Sequence, residues 1–214
     1  MTTARQRPIT IIVAGPPAVG KTTFGAALAR SLPAAFVDKD TLTQPLVAAA
    51  MRAVELDPDA LDHPWYRGHL RPAVYATLTQ LVADIVANGT SVVLVAPYLH
   101  RAGDPTWLPS LCRAWACDVR LVWLRADPAA IRRRLIARGA QRDQGKLTDW
   151  DAYATTIRDL TPSNPDQILD TSGLTRSELE QAAFDLGRAW SPHVPISVTP
   201  ERRERSPRAG DSRR

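Results

Sequence analysis

Apolar residues follow two rhythms along this chain. Short unbroken runs rich in β-branched residues recur, each too short for a helix: Ile9 to Ala14, Ala35 to Val37, Ser91 to Ala96, Val119 to Leu124 and Ile168 to Asp170. They read as five strands. Between them apolar residues return every three or four positions. Leu70, Val74, Leu78, Leu81, Val82 and Ile85 mark a helix from about Arg67 to Ala87, which Asn88-Gly89 ends. Further helices are expected over Lys21–Leu32, Thr41–Val54 (with Asp40 or Thr41 as N-cap) and Trp107–Ala116. Another runs from Asp127-Pro128 to about Arg138, where Gly139 stops it, and a short one lies near Asp149–Arg158. Thr175-Arg176-Ser177-Glu178 has the form of a capping box and opens a last helix to about Trp190.

Strand and helix alternate throughout. That pattern predicts an α/β domain with a parallel sheet covered on both faces, because unbroken apolar strands need burial on both sides. Ligands of such sheets gather at the C-terminal strand ends. Five loops would meet there: Gly15–Thr22, Asp38–Asp40, Pro97–His100, Arg125 and Asp170–Ser172.

The first of these loops carries the most specific motif. Gly15-Pro16-Pro17-Ala18-Val19-Gly20-Lys21-Thr22 fits G-x-x-x-x-G-K-[ST], with the strand before it and the helix after it that this motif requires. Loop N–H groups and the positive end of the helix form a nest for phosphate oxygens. Lys21 reaches the β- and γ-phosphates, and the Thr22 hydroxyl, with Thr23 beside it, serves Mg²⁺ and the nucleotide. ATP and Mg²⁺ are therefore the expected cofactors.

Composition removes several other classes. No stretch reaches the eighteen apolar residues of a membrane span, and no signal-type segment precedes Ile9, so a cytoplasmic protein is expected. Cys112 and Cys117 do not have a metal spacing. The net charge of +5 comes from the ends: six Arg against three acids give +3 over 191–214, and Arg5 and Arg7 give +2 over 1–8. The body nets to zero, which speaks against a nucleic-acid groove. Residues 1–8 are expected to be flexible, and 191–214, with four prolines and alternating charge, a disordered basic tail. One domain over 9–190 remains. Lysine is rare, only Lys21, Lys39 and Lys146 against 24 Arg, and Lys21 stands where a compact ammonium fits best.

Candidate chemistry follows from the loops. Asp40 is the expected base and acceptor-orienting carboxylate, and its alternative is a plain helix cap. Asp38 is assigned to Mg²⁺, through water, or to Lys39. Arg134 and Arg138 share a helix face, and with Arg142 and Lys146 they would form an arginine-rich lid over about 132–147. Arg71, Tyr98 and His100 are candidates for the acceptor pocket. Val93-Leu94-Val95-Ala96-Pro97 lacks the acid that many P-loop proteins carry near the end of this strand.

These features together resemble the small bacterial P-loop kinases related to chloramphenicol phosphotransferase, gluconate kinase and the kinase domain of polynucleotide kinase, a group often filed as AAA-domain ATP-binding proteins. The matching residues are Gly15–Thr22, Asp40-Thr41-Leu42, Gly89–Leu94, Leu124–Pro128, Arg138-Gly139 through Lys146-Leu147, and Asp170-Thr171-Ser172. The resemblance implies strand order 2-3-1-4-5 and phosphoryl transfer from ATP to a hydroxyl. It makes Asp40 the base, Arg138 the lid arginine and Thr171 and Ser172 neighbours of adenine. A small hydroxylated molecule is the expected acceptor. A polynucleotide 5′-hydroxyl kinase and a nucleotide-binding regulatory protein with weak ATPase activity are the competing readings. Oligomeric state is left open.

Overall fold

The computed structural model describes residues 7–190. Most of the expected N-terminal segment and all of the expected basic tail lie outside them. Five strands, β1 (Ile9–Ala14), β2 (Ala34–Asp38), β3 (Ser91–Val95), β4 (Asp118–Arg125) and β5 (Gln167–Asp170), form one parallel sheet in the order β2-β3-β1-β4-β5. This is the expected order. The helices are α1 (Lys21–Ser31), α2 (Lys39–Ala53), α3 (Arg71–Ala87), α4 (Trp107–Trp115), α5 (Pro128–Arg138), α6 (Gln144–Thr148), α7 (Trp150–Arg158) and α8 (Arg176–Trp190).

Alternate residues of the central strands β1, β3 and β4 feed two cores, one on each sheet face. Ile12, Leu94, Leu121 and Trp123 pack with Leu78 and Val82 of α3 and Trp107, Leu111 and Trp115 of α4. Ile11, Val13, Val93, Val95, Val122 and Leu124 pack with Phe24 and Leu28 of α1, Ile131 and Leu135 of α5, Ile157 of α7 and Ala183 of α8. Burial on both faces is why the central strands carry no polar alternation. A third, smaller core of Val47, Met51, Tyr66 and Val74 seats α2 against α3.

Three local features depart from the expected pattern. The cap of α2 is Asp38, not Asp40 or Thr41: its Oδ1 accepts from the Thr41 N–H at 3.0 Å, and the helix begins at Lys39. The start of the long helix is a π turn over Tyr66–Leu70, which wraps the buried Tyr66 inward before α3 begins. The polar stretch before α7 holds a 3₁₀ turn at Gln141–Asp143 and the short helix α6, so the lid has its own framework. The capping box forms as expected, with the Thr175 hydroxyl on Glu178 Oε2 at 2.7 Å. Among the described residues no helix is long and apolar enough to cross a membrane, and no three or more of His, Cys, Asp and Glu gather as a metal site. Cys117 is buried beside Thr10, and Cys112 is half-buried.

Candidate active site

A crevice of about 910 Å³ lies at the C-terminal strand ends. Its first wall is the loop between β1 and α1. Gly15 has φ +134°, and a Cβ there would fall 2.1 Å from the Leu124 carbonyl oxygen, so only glycine fits. The Gly15 N–H donates to the Pro97 carbonyl at 3.2 Å, which ties the loop to the end of β3. Ala18 and Gly20 also adopt positive φ, and α1 then starts at Lys21 with no side-chain cap. Its first N–H groups are thus open to an anion. The Lys21 ammonium donates to the Pro16 carbonyl within the loop. Burial lowers its pKa to about 8, and the nearby Asp40 only partly offsets that.

The second wall is the start of α2. Thr22 Oγ1 donates to Asp38 Oδ2 at 2.9 Å, which brings an alcohol and a carboxylate oxygen together at the mouth of the loop. Asp38 therefore does not pair with Lys39, contrary to one expectation: it is already committed to the Thr22 hydroxyl and the α2 cap. Lys39 instead pairs with Asp40 at 2.7 Å. Arg142 of the lid reaches the other Asp40 oxygen at 3.1 Å and Gln44 at 3.5 Å. Burial pushes the Asp40 carboxyl up, but Lys39, Arg142 and Lys21 together outweigh it and hold it below the ordinary aspartate range.

The third wall is the lid. Its centre is Asp143, 1 % exposed, which sequence reasoning passed over. Arg138 donates through Nε and Nη2 to one Asp143 oxygen, and Lys146 approaches the other at 3.5 Å. Lys146 also donates to the Arg142 carbonyl at 2.8 Å. The signal of Asp143 in the sequence is the alternating charge from Arg138 to Lys146, a run in which the one buried anion stands among cations. Tyr153 of α7 lines the same wall, and its buried hydroxyl has no partner among the described residues. Burial raises its pKa.

The far end of the crevice is formed by Arg67, Arg71, Tyr75 and His100. Two expectations here hold in placement, since Arg71 and His100 both line it. Tyr98 does not. It is 5 % exposed and packs against Trp107, the rings tilted and their centroids 4.7 Å apart. Its backbone takes φ +47°, which turns the ring into the core and leaves Tyr75 as the aromatic wall.

The β4 and β5 ends behave differently from the expected five-loop crevice. Arg125 pairs with Asp170 at 3.4 Å, and neither lines the cavity. Thr171 and Ser172 do not line it either. The Thr171 hydroxyl donates to backbone carbonyls, Val19 at 3.1 Å and Arg125 at 3.2 Å, and Ser172 Oγ accepts from the Asp127 N–H. Arg134 lines the crevice, yet its guanidinium is held by the carbonyls of Ala18, Thr171 and Ser172. It braces the phosphate loop against the β5 end. Gly15, Pro16 and Val19 are behind the loop surface, whereas Pro17, Ala18, Gly20, Lys21, Thr22 and Thr23 face the cavity.

From residue 10 to 160 the chain matches the family model described as AAA domain. Solved structures share its fold at low identity. A candidate kinase from Chloroflexus aurantiacus superposes with a TM-score of 0.60 at 20% identity, over 84% of this chain and 98% of that one. A sugar kinase from Janibacter sp. gives 0.55 at 18%, over 83% and 93%. A gluconokinase from Sinorhizobium meliloti gives 0.50 at 18%, over 86% and 94%. No curated protein sequence matches the chain.

Proposed function

The chain belongs to the AAA domain family of P-loop proteins, and from that premise we propose that it is an ATP-dependent kinase acting on a hydroxyl of a small molecule. One observation carries this reading: Asp40 lies in the same crevice as Lys21 and the Thr22–Asp38 pair, under cations of a lid. A nucleotide-hydrolysing switch would not require a second carboxylate beside an acceptor-sized space. The folds shared with a sugar kinase and a gluconokinase support the same class.

The loop suits a nucleotide phosphate by its own geometry, since a Cβ at Gly15 would close it and the first N–H groups of α1 lack a side-chain cap. Thr22 and Asp38 would hold Mg²⁺, directly or through water. When bound, Mg-ATP supplies the phosphoryl group and neutralises part of its charge. The remaining work belongs to the chain. Lys21 places a desolvated ammonium at the phosphate oxygens. Asp40 accepts a hydrogen bond from the acceptor hydroxyl, aligns its oxygen and takes its proton late, as the new O–P bond forms and the bond to the leaving diphosphate breaks. A carboxylate held at low pKa is a weak base, so orientation outweighs proton abstraction here. Arg138 and Arg142 bring positive charge from the lid and exclude water.

The test is ADP release across a panel of hydroxylated small molecules and oligonucleotides. Asp40→Asn is expected to lower kcat about 10²- to 10⁴-fold while ADP affinity stays within a factor of two or so. A loss confined to nucleotide affinity would remove Asp40 from the acceptor side. Lys21→Ala abolishes turnover. The regulatory reading has one observation in its favour, the run Ala96-Pro97 where an acid often stands. It gains if no acceptor raises ADP production. Stimulation by oligonucleotides alone would favour the polynucleotide kinase.

A further inference from the structure

We propose that the acceptor carries an anionic group, a carboxylate or a phosphate ester, and that Arg71 binds it. The inference rests on the kinase reading and specifies its substrate class. The crevice is lined by eight lysines and arginines, and seven have partners among the described residues. Lys39 and Arg142 hold Asp40, Arg138 and Lys146 hold Asp143, and Arg67 holds Asp62 at 3.0 Å. Lys21 and Arg134 hold backbone carbonyls. Arg71, half-buried at the first residue of α3, has neither an ion pair nor a hydrogen bond among the described residues.

Its surroundings make that state costly. Arg71 also lines an annex of about 420 Å³, with Arg67, Arg101, His100 and Tyr75, and no carboxylate lines that annex. The acids nearest in sequence to its other arginines are already paired, Asp62 with Arg67 and Asp104 with Arg101 at 3.2 Å. His100 registers the resulting field: burial, then Arg101 and Arg71, hold its imidazole below the usual range. A half-buried guanidinium without a counter-charge is unfavourable, and a bound anion relieves it. The planar fork suits the two oxygens of a carboxylate or phosphate. Arg71, Tyr75 and Asp40 line the same crevice, so one small molecule can place its anion on the first and its hydroxyl on the last. Tyr75 and His100, in T-shaped contact at 5.1 Å between centroids, line the crevice wall.

The experiment is calorimetric titration of the protein, with ADP and Mg²⁺ present, using small hydroxy acids and sugar phosphates beside their amides and free sugars. At least one anionic member is expected to bind, with its neutral counterpart about tenfold weaker or more. Arg71→Gln should weaken the anion by about 10- to 100-fold without changing ADP affinity, and Arg71→Lys should restore part of it. The carboxylate and phosphate arms decide which anion is meant. Neutral compounds that bind as well as anions, or a panel in which no anion depends on Arg71, would overturn the proposal. Turnover of the same panel separates the two claims. An anion bound through Arg71 but never phosphorylated removes the kinase reading and leaves an anion site at Arg71 that is not an acceptor's. A neutral acceptor phosphorylated equally by wild type and Arg71→Gln does the reverse.

Discussion

Lys21 enters the fold at a cost that nucleotide binding is placed to recover. Burial lowers its pKa from 10.5 to about 8. Between those values the unfolded chain holds more protons at this site than the folded chain, so this site's contribution to stability increases from pH 8 to 10.5. Below pH 8 the ammonium is carried into the fold charged. Urea denaturation across this range should show wild type gaining stability relative to Lys21→Met as pH rises, and parallel curves would refute the buried ammonium. Phosphate oxygens raise the pKa again. ADP binding near pH 8 should therefore take up protons, seen as a buffer-dependent calorimetric enthalpy that the Met variant lacks. At Gly15 the constraint is steric. Gly15→Ala meets the Leu124 oxygen at 2.1 Å in a backbone region foreign to L side chains, so a cost of about 3 kcal/mol or more and loss of ADP binding are expected in denaturation and titration.

A lid made of α6, α7 and the 3₁₀ turn holds few residues and little core of its own. Ile157 of α7 anchors it in the second core, and one buried carboxylate ties its polar part together. Asp143 gathers Arg138 from the end of α5 and Lys146 from α6, so a helix end and the lid share a single anion. Asp143→Ala leaves two cations without it. Because Arg138 is 37 % exposed, water compensates part of the loss, and the global cost is set at about 1–3 kcal/mol rather than that of a fully buried pair. The sharper readout is local: faster amide exchange over 138–158 and ADP affinity about tenfold lower. Unchanged exchange would show that packing, not the carboxylate, orders the lid. Arg134 has the matching role on the opposite side. Its Nη1 reaches the Ala18 carbonyl at 3.2 Å and the Thr171 hydroxyl at 3.1 Å, while its Nη2 donates to the Thr171 and Ser172 carbonyls. A lysine has no fork to span both, so Arg134→Lys is expected to lose about 1–2 kcal/mol in urea denaturation.

Across the whole molecule, legibility follows sequence distance. The strands were readable because burial on both faces erases polar positions from a run, and the phosphate loop because its chemistry sits within eight consecutive residues. The order of the strands came from a resemblance, since nothing local states which strand lies beside β1. The crevice was readable only as a list of loops. Arg142 meets Asp40 across 102 residues, and Arg134 meets Ala18 across 116. Neither pairing leaves a spacing to detect, and the places of Tyr153 and of the inward-turned Tyr98 depend on packing that no local pattern states. Asp143 stands only three and five residues from its cations, so its pairing is local and only its burial is hidden, and Thr171 and Ser172, expected near adenine, do not line the crevice. These long-range ties are also why a nucleotide should stabilise the entire domain. The P-loop, the start of α2 and the lid all line one cavity, so a ligand filling it binds the folded chain and has no comparable site in the unfolded one. At a free concentration about 100 times Kd this adds about 2.7 kcal/mol. For a domain of this size the melting temperature should increase by about 5–10 °C with ADP and Mg²⁺ and return to its starting value once they are removed. Asp143→Ala, at the same ligand concentration, should show a smaller increase by the logarithm of its weaker affinity. A wild-type melting temperature indifferent to ADP, ATP and their guanine counterparts alike would end the nucleotide-binding reading.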